Sequence, residues 1–362
     1  MNNTSLASQK VRLESLDILR GFDLFLLVFF QPVFISLCNR LGCDWLAPIV
    51  YQFDHEIWEG FRFWDLIMPL FLFMAGASMP FSFSKYKTES NKSNVYRKIM
   101  KRFIILFVLG MVIQGNLLGL DFNHIYIYTN TLQAIAAGYL IASLVFLHFR
   151  FKNQILIALL LLLVYTIPMM FGGDYTMEGN FAYKVDAFIL GRFRGDLSYT
   201  WIWSSLTFGV TVLMGVFAGY LIKEGKSHPY KVVKALFWVG IGLVTVAYLW
   251  SLEMPIIKRI WSGSMTLLSG GYCYLLMALF YYWIDIKKHK YGFQWLKIYG
   301  MNSITAYILA ELINFRSIAT SVLYGFEGFL GQFYPVLITF TNFLIIFLIL
   351  KWMYKYQIFL KI

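Results

Sequence analysis

The stretch Asp54-His-Glu-Ile-Trp-Glu-Gly60, followed by Phe61-Arg-Phe-Trp-Asp65-Leu-Ile-Met-Pro69-Leu-Phe-Leu-Phe-Met-Ala-Gly76-Ala-Ser-Met-Pro-Phe-Ser82, decides the fold. From Phe61 to Ser82 the only formal charges are Arg62 and Asp65. About 20 apolar residues wound as helix cross about 30 Å of hydrocarbon. A titratable group at the mouth of such a helix is costly unless it has a partner or a wet cavity to face. His55, among three carboxylates and just before the helix, is therefore the residue whose placement has to be explained.

The rest of the chain repeats this pattern. Of 362 residues, 59% are hydrophobic and only 14% charged, where a soluble protein carries about 25% charged residues. The apolar residues fall in long runs rather than in the roughly ten-residue alternation of a membrane β-barrel. The expected fold is all-α: a polytopic membrane protein with ten spanning helices near 17–38, 61–82, 101–119, 129–147, 154–171, 199–222, 233–252, 265–284, 295–313 and 333–353.

Charge sets the expected orientation. With the N-terminus cytoplasmic, 22 Lys and Arg fall on the cytoplasmic side and 8 outside, the bias that orients membrane proteins. Both termini are then cytoplasmic, and His55 and His124 lie outside. The same bias accounts for the net charge of +12, so the expected partner is a bilayer and not a nucleic acid. Residues 1–16 lack an apolar core with a small-residue cleavage site, so no removable signal peptide is expected. The chain divides into an N-terminal tail (1–16), one membrane domain (17–353) and a C-terminal tail (354–362). The expected location is the bacterial inner membrane.

Several smaller features leave two readings open. Cys38 and Cys43 could pair in an oxidising compartment, or be two small apolar residues. The loop 172–198 mixes charge and aromatics, as either a folded cap or a solvated connector would. Asp17 and Arg20, at i and i+3, could pair as an interfacial anchor, or Arg20 could bind a phosphorylated ligand from the cytoplasm. Gln31 lies nearly three turns above Arg20 on nearly the same face, beside Pro32, which loosens the helix. Asp65 is the natural partner for His55, since a carboxylate orients an imidazole and raises its basicity. Asn130 and Gln133 share one face of the fourth helix, where they could bond across helices or touch a ligand. Ser264 opens the eighth helix, and Asn302 lies in the inner half of the ninth. No metal site is expected: no His-x-x-x-His spacing and no clustered ligands occur.

Four motifs carry a resemblance. Arg12-Leu-Glu-Ser-Leu-Asp17-Ile-Leu-Arg20-Gly21 resembles the opening of membrane acyltransferases similar to heparan-α-glucosaminide N-acetyltransferase. The segment from His55 to Gly76 resembles that family's H-x-x-W-x-G-x-x-x-x-D-[LI]-x-x-P signature, the most specific of the four. Asn130-Thr-Leu-Gln133 and Gly300-Met-Asn302-Ser303 are similar to its other two short motifs. The resemblance implies transfer of an acetyl group from cytoplasmic acetyl-CoA to the amine or hydroxyl of an extracytoplasmic sugar or glycan. It places the catalytic histidine at His55, with Asp65 and Gln31 beside it. It implies a donor path past Arg20, Asn130, Gln133, Ser264 and Asn302, and it leaves room for a homodimer. One departure is Gln31, where the family's eukaryotic members carry asparagine; the absence of their luminal domain is another. Set against this reading is a proton-coupled transporter or glycan exporter in which His55 and Asp65 relay protons. Polar groups that only lock helices together are a third.

Overall fold

The computed structural model describes residues 13–42, 44–87, 92–196 and 198–360. Among them there is no named strand, only an antiparallel bridge between Glu59 and Ile257, so the expected all-α class holds. Among the described residues, eight helices are long and apolar enough to cross a membrane. All ten expected segments fold as helix, and the remaining two differ for physical reasons. α3 (Ser93–Ile113) has the length, but its first half carries Arg97, Lys98, Lys101 and Arg102. The ninth is broken at Asn302 into α10 (Leu296–Met301) and α11 (Ser303–Leu312). The possible Cys38–Cys43 pair involves Cys43, outside the described residues, as does most of the 1–16 tail.

The other long helices are α1 (Glu14–Leu41), α2 (Phe63–Ser82), α4 (Thr131–His148), α5 (Phe151–Phe171), α7 (Ser205–Glu224), α8 (Pro229–Trp250) and α9 (Gly263–Ile286). α6 (Phe181–Leu190) is a short helix within the loop after α5. α12 (Arg316–Leu323) and α13 (Tyr334–Lys355) end the chain. Proline shapes α1: Pro32 has no N–H to donate, and the turn before it, Leu26–Phe30, is wound as π-helix.

α7 is the central helix. It packs against α2, α4, α5 and α9, and most of its side chains are buried. The contact with α2 is backbone to backbone. A Cβ on Gly76 would sit 1.9 Å from the Val212 carbonyl oxygen, and one on Gly215 equally close to that of Phe73. The same device joins the ends of the chain: a Cβ on Gly21 would meet the Leu296 carbonyl at 1.9 Å, and one on Gly300 that of Asp17 at 2.1 Å. Membrane helices associate largely through such close packing of small residues. Three of the motif glycines are thus fixed by helix crossings. They bring α1, α2 and α10 around one cavity.

The bundle has two faces. One carries Glu14 and Lys355, where α1 begins and α13 ends; it is called here the terminal face. The other carries the 44–62 connection, α6 and the α8–α9 turn. The loop around α6 is a folded cap, not a solvated connector. Buried Asp186 accepts from the backbone N–H groups of Trp201 (2.6 Å) and Ile202 (3.0 Å), and Trp58 Nε1 donates to the Tyr175 carbonyl at 2.8 Å.

Candidate active site

The segment leading to His55 is fixed by its own acids. Glu56 takes two hydrogen bonds from Arg62, from Nε at 2.9 Å and Nη2 at 3.1 Å, and a third from the Tyr51 hydroxyl. The Arg62 guanidinium lies 3.6 Å from the centre of the Tyr51 ring. Arg62 lowers the Glu56 pKa further than its slight burial raises it. Asp54 accepts from the His55 backbone N–H at 2.8 Å. Gly60 has φ +129°, which a side chain would resist. Its N–H donates to Ile256, at the α8–α9 turn. Gln31 reaches the same segment, its Nε2 donating to the Phe53 carbonyl at 3.2 Å.

Asp65 is fully buried, and both its oxygens are used. Oδ2 accepts from the N–H groups of Arg62 (3.0 Å) and Glu56 (3.3 Å). Oδ1 lies 2.9 Å from His55 Nδ1 and 3.3 Å from Lys258 Nζ. Lys258 Nζ is also 2.9 Å from Nδ1 and 3.4 Å from Nε2. A bare Nδ1 lone pair facing a carboxylate oxygen at that distance would be repulsive. Nδ1–H therefore donates to Asp65, and Lys258 pairs with the same carboxylate. Nε2 is then the acceptor nitrogen of the ring, with the Lys258 ammonium 3.4 Å away. The side chains of Asp65 and Lys258 are 0% and 6% exposed, while His55 is 41% exposed, so the imidazole is the member of the trio that faces outward.

The electrostatics keep that imidazole neutral. Burial lowers the His55 pKa below the ordinary imidazole value; Asp65 opposes this and the Lys258 charge adds to it. Burial likewise pushes Lys258 down to about 8, against the pull of Asp65. At neutral pH the site holds a carboxylate, a mostly charged amine and a neutral imidazole with an acceptor nitrogen.

Lys258 is not among the residues singled out from the sequence. Its turn, Pro255–Ser262, is held from all sides. Ser262 and Ser264 both donate to the Pro255 carbonyl, at 2.8 and 3.0 Å. Tyr165 and Ser204 donate to that of Ile260. Thr200 N–H donates to Arg259. Trp261, at φ +52°, is buried with its Nε1 donating to Thr211. A non-glycine residue at positive φ is uncommon and persists only where its surroundings over-determine it.

His55 and Lys258 line one end of a cavity of about 780 Å³. Gln114, Tyr126, Asp196, Tyr199, Trp201 and Glu311 surround that end. The walls come from α1, α2, α3, α4 and α11, and at the terminal face the lining includes Arg20, Arg102, Ser78 and Leu360. From Trp64 to Ser78, both lining residues on α2, the rise is about 20 Å. Arg20 lies 3.9 Å from Asp17. Arg102 stacks on Tyr139, 4.3 Å from the ring centre, and its buried Nε has no hydrogen-bond partner among the described residues.

The structure thus brings together His55 and Asp65, and lines the far end of the same cavity with Arg20. The other expected residues make bonds within the fold, while neighbours of Asn130 and Asn302, among them Thr129, Thr131, Met301 and Ser303, line the cavity. Asn130 and Gln133 form the N-terminal cap of α4. Asn130 Oδ1 accepts from Leu132 N–H at 2.8 Å, and Gln133 Oε1 accepts from Thr129 and Asn130 N–H at 2.8 and 3.0 Å. Ser264 braces the Lys258 turn. Asn302 bonds the backbone of Ile358 and Leu360. Among the described residues no cluster of three metal-ligating side chains occurs.

Fold and site together define an integral membrane protein with a histidine–carboxylate–lysine centre at one end of an intramembrane cavity. The chain belongs to the family described as heparan-α-glucosaminide N-acetyltransferase, catalytic, which it matches over residues 12–254. The family is one of acetyltransferases, and the chain is a multi-pass member of it. His55, Asp65, Arg20 and Arg102 fall within the matched residues; Lys258 lies beyond them. No curated protein matches the chain.

Proposed function

We propose that this protein transfers an acetyl group from acetyl-CoA, taken up at the terminal face, to an amine or hydroxyl of a sugar presented at the opposite face. The terminal face is read as cytoplasmic from the distribution of Lys and Arg. The observation that carries the reading is the single cavity with Arg20 and Arg102 at one end and His55 and Lys258 at the other. Guanidinium groups suit the donor's phosphates. The aromatic and carboxylate lining near His55 suits a polar, hydrogen-bonding acceptor.

His55 Nε2 takes the proton of the acceptor as its nitrogen or oxygen attacks the thioester carbonyl. The C–S bond breaks, a C–N or C–O bond forms, and the proton passes from Nε2 to the departing thiolate. If Nε2 itself attacks, an acetyl-imidazole carries the group between the two substrates. Asp65 holds the tautomer in either route. Lys258 balances the Asp65 charge and disfavours protonation of the imidazole. Gln31, tied to the Phe53 carbonyl, positions the segment before His55.

The test is transfer across a membrane. Protein is reconstituted in vesicles with labelled acetyl-CoA on one side and an amino sugar on the other. Label should reach the sugar with wild-type protein and not with His55→Ala. Equal transfer by the two would refute the role of His55. Acid-quenched protein carrying label on the His55 peptide would assign the acetyl-imidazole route.

A further inference from the structure

A second cavity, of about 830 Å³, opens beside the first at the terminal face. Lys226, Lys288, Lys290 and Lys297 line it, with Glu14, Asp17 and Asp285. What separates the two is the end of the chain. After α13 the backbone reverses at Gln357, which has φ +56°, and Ile358 N–H donates to the Met353 carbonyl at 2.9 Å. The segment then runs back to the α10–α11 break. There Asn302 Nδ2 donates to the Ile358 carbonyl at 3.0 Å, and Leu360 N–H donates to Asn302 Oδ1 at 3.2 Å. Gln357 and Phe359 line the second cavity, whereas Leu360 lines the first. Met301 borders both. Residues 357–360, with Met301, are the partition.

We propose that residues 357–360 are a displaceable strap, and that, once the strap swings aside, the terminal nucleotide phosphate of the acyl donor lodges in the second cavity while its diphosphate stays by Arg20 and Arg102. The proposal rests on the acetyl-CoA reading above. A donor whose thioester reaches His55 has to keep its phosphates near water, and Leu360 stands across that end of the first cavity. The strap is lightly held: Ile358 and Leu360 are 43% and 53% exposed, so little apolar burial opposes its release. Its fixed points are the chain reversal, with Gln357 Nε2 donating to the Tyr354 carbonyl, the Phe359 ring edge-on to Tyr354, and the two bonds to Asn302, few enough for a segment that opens locally while the helices stay packed. Behind it, Glu14 pairs with Lys290 and Lys297. An entering phosphate would exchange for that carboxylate on the same two lysines.

The experiment uses the full chain with CoA itself as the probe, so that binding is read without transfer. Ile358→Pro removes the N–H that closes the chain reversal, and CoA should then associate about tenfold faster, as expected when a hydrogen bond or two no longer hold the closed state. Leu360→Ala leaves the backbone bonds in place and should act in the same direction by about threefold, which covers the case in which the proline variant fails to fold. A donor-independent reading comes from Ser303→Cys, in the first cavity, in a chain whose native cysteines are replaced. Its alkylation by a small charged thiol reagent should accelerate in both variants. Faster alkylation without CoA binding would uphold the strap and sink the acetyl-CoA reading. CoA binding with association and alkylation both unchanged would overturn the strap alone. Lys226→Glu, with the strap intact, should weaken CoA about tenfold and leave alkylation unchanged; unaltered affinity would remove the second cavity from the donor site.

Discussion

Two polar clusters sit at the ends of neighbouring helices, and the sequence presents them alike: His55 with Asp65 before α2, and Asn130 with Gln133 at α4. Their wiring differs. Asn130 and Gln133 are fully buried, and their amides are engaged. Asn130 Nδ2 donates to Gln114 at 2.8 Å, and Gln133 Nε2 donates to the carbonyls of Ile127 and Phe107. Their oxygens close the first turn of α4. At the other cluster Asp65 is equally saturated, yet the imidazole and the lysine it holds both line the cavity. A buried polar group whose valences are all taken by the backbone builds the fold. Chemistry needs a neighbour that faces a cavity.

The sharpest way to break that contrast is His55→Ala. Transfer should fall by about 10³-fold or more, the upper range for loss of a general base or nucleophile, while the melting temperature of detergent-purified protein stays near wild type. An Asn130→Ala variant that lost as much transfer without losing stability would erase the distinction.

Lys258→Met should cost about 10²-fold and, more tellingly, reshape the pH profile. In the wild type, transfer should rise with pH through a limb below the ordinary imidazole value, since both burial and Lys258 disfavour the imidazolium. It should decline again as Lys258 deprotonates near 8 and the buried Asp65 charge that holds the imidazole loses its counter-charge. Removing the Lys258 charge raises the His55 pKa, so the acid limb moves upward and the alkaline limb disappears. An uniformly lowered profile with both limbs in place would reduce Lys258 to a packing residue.

Arg102→Gln bears on the opposite end of the cavity. Loss of one guanidinium from a phosphate site predicts a KM for acetyl-CoA raised about tenfold with kcat little changed. A fall in kcat alone would place Arg102 outside the donor site.

How much of this was legible follows from which interactions are local. Apolar runs of spanning length disclose helices through composition, and Asp65, ten residues after His55, was within reach of a spacing argument. The motif glycines were readable as small, but not as the crossings Gly21–Gly300 and Gly76–Gly215, which join distant helices. Lys258 lies 203 residues from His55. Its signal was a cation embedded in the apolar piece Ile256–Trp261, where an unpaired charge is costly, and charge counting alone filed it with the loop. Asn130-x-x-Gln133 was a capping box in plain view. The first N–H groups of a helix need partners, and this pair supplies them at the start of α4.

The smallest effect on transfer, and the most telling for the contrast, belongs to Asn130→Ala. The substitution removes the acceptor for Leu132 N–H and the donor to Gln114 and Tyr307, while Gln133 Oε1 keeps its bonds to the N–H groups of residues 129 and 130. Loss of an N-cap side chain costs about 1–2 kcal/mol. For a helix in this bundle that should appear as a lower melting temperature in detergent, by a few degrees. Transfer per folded molecule should stay within about twofold of wild type below that transition, because no atom of Asn130 is left over for a substrate. Asn130→Asp keeps the acceptor at Leu132 and should recover most of the lost stability. If it recovered stability but not transfer, the amide nitrogen would have a part in the reaction, and the two clusters would be one site.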